Sequence, residues 1–141
     1  MAVITVRYEN TDLGLDAILK RASRARRTEA HVGFHDAGEA QIAAYQEFGT
    51  STIPARPFMR TTFEANLERY KDALQEAAHN WLVGKAQTAG PGLRKAGNKL
   101  ARDIKATIRS SVGPPNKQDE GAAGTLVVTG QMAASVKVKL E

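Results

Sequence analysis

The chain contains no cysteine, which excludes a disulfide framework, a thiolate zinc site and a cysteine nucleophile together. Aromatic residues are scarce at 6% against 42% apolar residues in all, so alanine and aliphatic side chains must fill much of any core. No apolar run approaches the roughly 20 residues that span a bilayer. The opening "MAVITVRYEN" lacks the basic start, apolar middle and small-residue cleavage site of a signal peptide. The expectation is a soluble protein of the cytoplasm with no membrane partner. At 141 residues it is read as one domain, 1–141, large enough to bury a core without staples.

Charge is what the sequence has in excess. Twenty Lys and Arg face fifteen Asp and Glu, for a net charge of +5. Basic residues gather at Lys20, Arg21, Arg24, Arg26 and Arg27, then again between Lys95 and Lys105 with few acids among them. Such a balance speeds association with polyanions. Charge runs are nevertheless most often solvated faces, and no zinc-finger spacing or aromatic-rich strand pair for base stacking is present.

Alternation in "AVITVRYE" predicts a half-buried strand with Ile4, Val6 and Tyr8 on one face. A short helix follows on Leu13, Leu15, Ile18 and Leu19, with Thr11 or Asp12 as its cap. "EAHVGF" reads as a second strand, and "DAGEAQIAAYQEF" as a helix stopped by Gly49 in a left-handed position. From Phe58 to Val83, Phe63, Leu67, Tyr70, Leu74, Ala77 and Trp81 recur at helical spacing and predict one continuous helix. A second long helix runs from about Leu93 to Val112, where Gly97 implies close approach to another backbone. The two pair as a hairpin across "TAGPG". Residues 113–124 lack periodicity and read as a flexible loop. Thr129 and Gly130 break the chain ahead of one helical turn and a last strand, Val136 to Leu140. These elements make an α+β protein, a small, mostly antiparallel sheet packed by two longer helices and one or two short ones.

His31, His35, Asp36, Glu39 and Glu47 invite a metal reading and, with it, a metal-dependent nuclease. On a strand, however, the two histidines lie about 13 Å apart, too far for ligand bonds of about 2 Å to one ion. The serines have no Gly-x-Ser-x-Gly context, and "AGPGLRKAGNK" matches no phosphate-binding glycine loop. Glu64 and Glu68 sit where surface acids are expected, and Trp81 reads as core. The residues point to no catalysis, no metal and no cofactor.

The densest stretch is "YQEFGTSTIPARPFMRTTFE", residues 45–64. Pro54 and Pro57 fix their own φ and push Ile53 and Arg56 into extended conformations, and Pro57 suits the first turn of a helix. The expectation is a stiff corner that directs Arg56 and Arg60 outward beside Glu47, Phe48 and Phe58, a rigid surface suited to a repeated protein contact.

"AAYQEFGTSTIPARPFMRTTFE" closely resembles the signature of the tail-completion or neck proteins of tailed bacteriophages and prophages, in which Glu-Phe-Gly-Thr is followed by Pro-Ala-Arg-Pro-Phe. The likeness extends to "HVGF" upstream and to "VGPPN" and "LVVTGQMAASVKV" downstream, covering about residues 30–141. It implies a structural virion part: a ring, hexameric by the usual symmetry of tails, at the head–tail joint, of the tail-terminator type. Partners would be other neck, connector or tail-tube proteins, with possible contact to packaged DNA, and assembly would occur in the host cytoplasm. The alternative is a small basic nucleic-acid-binding protein using the Lys20–Arg27 cluster.

Overall fold

The computed structural model describes residues 14–23, 28–110 and 130–141. In chain order these form α1 (Leu15–Ser23), β1 (Ala30–Phe34), α2 (Ala37–Phe48), α3 (Phe58–Ala65), α4 (Leu67–Leu82), α5 (Gly90–Arg109), α6 (Gln131–Ser135) and β2 (Val136–Leu140). The fold is α+β. The strand expected over residues 2–9, the loop over 113–124, and Thr129 lie outside the described residues.

The sheet is antiparallel, pairing Ala30 with Leu140, Val32 with Val138 and Phe34 with Val136. Period-two alternation puts these apolar residues on one face and His31, Lys137 and Lys139, all exposed, on the other. Two strands alone are marginal in water, so the apolar face needs a helix. That helix is α5. A β-carbon on its Gly97 would lie 2.8 Å from Val138 Cγ1 and 3.3 Å from Val32 Cγ2. The close approach expected of Gly97 is therefore real, but it is made to two valine side chains and not to a backbone.

Around this contact Ala43, Phe58, Ala101, Ile104, Ile108, Met132, Ala133 and Val136 form a buried cluster with few aromatics. Alanine lets α5 lie close to its neighbours. The α4–α5 hairpin is present and is equally tight, since a β-carbon on Gly92 would stand 2.6 Å from that of Ala77.

The single helix expected from Phe58 to Val83 is divided. Asn66 (φ −125°, ψ 14°) interrupts it between α3 and α4. Its side-chain amide donates to the Thr62 carbonyl at 2.9 Å and replaces the helical bond lost at the break. Asparagine competes for backbone groups in this way, and the apolar spacing cannot reveal it. The change of direction leaves Phe63 and Leu74 each 46% exposed, while the buried residues of α4 are Tyr70, from the stripe, and Ala73, outside it. Trp81 is half-buried.

Candidate functional site

The corner between α2 and α3 is a joint in which each helix end is satisfied by the other segment. At the start of α3 the first amides lack intrahelical partners. Pro57 (φ −75°, ψ 64°) makes an inverse γ-turn, in which the Phe58 amide donates to the Arg56 carbonyl at 2.7 Å. The next two amides are met from α2. Glu47 Oε2 accepts from Met59 N at 2.9 Å, and Oε1 accepts from Arg60 N at 3.0 Å. A carboxylate at a helix N-terminus gains from the helix dipole as well as from two charge-assisted bonds. Glu47 is only 7% exposed, so these bonds have little competition from water.

At the end of α2 the arrangement is reversed in charge. The Arg56 amide donates to the Gln46 carbonyl at 2.6 Å. Its guanidinium Nη1 donates to Gln46 Oε1 at 2.7 Å and lies 3.5 Å from the Pro54 carbonyl. Arg56 is wholly buried, at 0% exposure. The intervening loop is held by Thr50, whose Oγ1 accepts from Thr52 N at 3.2 Å and Ile53 N at 3.0 Å. Gly49 (φ 74°, ψ 174°) occupies a backbone region that is essentially glycine-only, more extended than the left-handed helical position expected. A β-carbon there would meet Ala55 N at 2.8 Å and the Ile53 carbonyl oxygen at 2.9 Å.

These contacts correct the expected surface. Arg56 does not project outward; it turns inward to Gln46 on α2 and the Pro54 carbonyl of the loop. Phe58 is fully buried and meets Phe34 edge-on, with ring centroids 6.2 Å apart. Glu47 is the cap of α3. Phe48 and Arg60 remain outside, Phe48 at 69% exposure. Pro54 is exposed on the loop, Pro57 sits at the cap position and Gly130 precedes α6 with φ 20°.

Phe48 stands in an apolar strip along α2 that sequence reasoning did not isolate. Ile42 and Tyr45 precede it at intervals of three residues and are likewise exposed. Next to this strip an open groove of about 530 Å³ runs between α2 and β1, bounded by Val32, Ala40, Ala44, Phe48 and Met59. His31, Lys139 and Glu141 give its far rim both signs of charge.

The residues behind the metal reading serve separate structural tasks. Asp36 caps α2, accepting from Gly38 N at 3.0 Å and Glu39 N at 3.1 Å. Glu39 accepts from Gln131 Nε2 at 2.5 Å. His31 lies 3.3 Å from a Glu29 carboxylate oxygen, and His35 Nε2 is 3.3 Å from the Lys137 carbonyl. Among the described residues no three such side chains group as a metal site. The spacing Asp36-x-x-Glu39 is a capping signal that the sequence carries openly.

A second polar cluster joins α4 to α5. Tyr70 donates its hydroxyl to Asp103 Oδ2 at 2.8 Å, and Arg69 pairs with the same oxygen. Burial, chiefly, and the bond to Asp103 push the Tyr70 phenol up to about 12. Phe63 stacks on Tyr70 with ring centroids 6.1 Å apart. Of the Lys20–Arg27 cluster, Lys20 and Arg21 are described; Arg21 Nη1 donates to the Leu82 carbonyl at 3.3 Å and so helps close the end of α4.

Among the described residues no helix is long and apolar enough to cross a membrane. Comparison of the chain with protein-family models, curated proteins and solved structures finds no match.

Proposed function

We propose that this chain is a structural protein of the neck of a tailed bacteriophage, a subunit of a ring at the head–tail joint of the tail-terminator type. It acts through repeated subunit contacts and not through turnover. The observation that carries this reading is the division of labour within residues 45–60. The run that resembles the neck-protein signature builds a locked joint, and the joint holds Phe48 out in water at the end of an apolar strip.

Phe48 is 69% exposed, and none of the described residues covers it. Aromatic anchors on rigid supports are what protein interfaces use most, because little entropy is lost on contact. The strip of Ile42, Tyr45 and Phe48 on one subunit and a different surface on the next make a head-to-tail contact, which closes into a ring when its rotation divides a circle. Six subunits are expected from tail symmetry.

Native mass spectrometry of the protein with its tail-tube partner tests this. The expected result is a six-subunit ring that Phe48→Asp abolishes without changing the melting temperature. A stable monomer or two-fold dimer in the virion contradicts the reading.

A further inference from the structure

Helix α5 carries six basic residues, Arg94, Lys95, Lys99, Arg102, Lys105 and Arg109, against one acidic residue, Asp103. Its net charge of five thus equals the formal +5 of the whole chain. At about 100° per residue the six cations fall on one arc with Asn98 and Ala106. The opposite arc holds the buried residues Ala96, Gly97, Ala101, Ile104 and Ile108. Gly97 presses on the sheet valines, so α5 is fixed to the core on one side and presents its cations on the other.

Among the described residues these cations find few close partners. Lys95 reaches Glu76 and Arg102 reaches Asp103 only at 3.9 Å each. Among the described residues, no ion pair forms at Arg94, Lys99, Lys105 or Arg109. Helix α4 differs, since its Glu68 and Lys71 pair at 2.7 Å and both signs are interspersed along it. A face kept only for solubility mixes signs in that manner. On α5, Lys95 and Lys99, Lys99 and Arg102, Arg102 and Lys105, and Lys105 and Arg109 stand three or four residues apart, and such like-charge neighbours weaken a helix. Nothing described within the protomer offsets that repulsion.

We propose that the outer face of α5 binds the phosphate backbone of duplex DNA. From Arg94 to Arg109 the ridge is about 22 Å long at 1.5 Å per residue, and duplex DNA offers one negative charge per about 1.7 Å of its axis. A shallow hollow of about 570 Å³ over its first half is lined by Pro91, Arg94, Lys95, Asn98, Lys99 and Arg102. The arc carries no aromatic residue, so it lacks the stacking platform that single strands require. Its apolar side is buried in the core, so it cannot lie in a membrane surface as an amphipathic helix does. The contact is sequence-independent, because it is made to phosphates and not to base edges. This deepens the neck reading by naming the surface turned toward DNA, and it is tested on the protein alone, separately from ring formation.

The test is fluorescence anisotropy of a random-sequence duplex of about 30 base pairs, titrated with the full chain between 50 and 200 mM salt. With about five phosphates neutralised, affinity should fall roughly 500-fold across that range. The triple variant Arg94→Glu, Arg102→Glu, Arg109→Glu should lose at least about 100-fold in affinity at 50 mM salt. If that variant does not fold, Arg94→Gln with Arg102→Gln should still flatten the salt dependence. Reversal at Arg24, Arg26 and Arg27 should leave most binding intact. The proposal is overturned if the unaltered chain shows no salt-dependent binding, or if folded α5 variants bind as well as it does. It is equally overturned if anionic vesicles, duplex RNA alone or an acidic protein captures the α5 face while duplex DNA does not.

Discussion

The corner and the outer face of α5 are both rich in charge, and they use it in opposite ways. In the corner Glu47 and Arg56 are buried and partnered, Glu47 by two amides at the start of α3 at 2.9 and 3.0 Å and Arg56 by the Gln46 side chain on α2 at 2.7 Å. On α5 Arg94, Lys95, Arg102 and Arg109 are exposed and Lys99 and Lys105 half-buried, and the two nearest carboxylate contacts among the described residues, both 3.9 Å, are too long for strong pairing. A buried charge must be partnered at once or the fold fails, so its role is internal. A largely exposed, single-sign array without close partners among the described residues adds little to the protomer's stability and is free to act outside it. The density of charge in a sequence therefore says little until burial is known.

The largest effect that would break this contrast is loss of the carboxylate. Glu47→Ala removes two charge-assisted bonds and orphans the amides of Met59 and Arg60. A loss of about 3 to 5 kcal/mol is expected in urea unfolding, a large part of a typical total of about 5 to 15. Gly49→Val comes next. It forces a β-branched residue into a glycine-only conformation against Ala55 and Ile53, at a cost of at least about 1 to 3 kcal/mol by the same measurement.

Tyr70→Phe sharpens the comparison, because its hydroxyl is a buried group bonded to an acid on α5. The substitution should cost about 1.5 to 3 kcal/mol at neutral pH. The folded phenol titrates at about 12, above the ordinary value near 10. Between those values the unfolded chain releases the proton while the folded chain holds it, so this group lowers stability as pH rises through that window. Unfolding curves from about pH 9 to 12 should fall less steeply for Tyr70→Phe than for the unaltered chain. The smallest effect belongs to α5. Arg109→Gln should leave the melting temperature within about 2 °C, as exposed substitutions do.

Much of the fold was legible in the sequence because it rests on local signals. The run "EAHVGF" was readable as β1, period-two alternation marked β2, and the Phe48-Gly49 step ahead of two prolines marked the end of α2. The split at Asn66 was not legible, since the apolar spacing runs through it unbroken while a side-chain amide decides the geometry. Asp36 carried a capping signal, but its position beside two histidines drew attention to metal chemistry. Arg56 was misplaced for a deeper reason. Prolines restrict a backbone locally, but whether an arginine ends in water or against Gln46, ten residues earlier, depends on how two helices close. The cations of α5 were visible as a cluster, and their meaning appeared only when the helix placed all six on one arc.

The most direct test of the account is thermal denaturation of Arg56→Ala. Burial of this arginine at the end of α2 predicts a fall of about 10 °C or more, from the loss of about 3 kcal/mol of charged hydrogen bonding in a chain of this size. An unchanged melting temperature would show that Arg56 is not part of the lock, and would contradict the assignment of the corner's charges to the fold and of the exposed ones to partners.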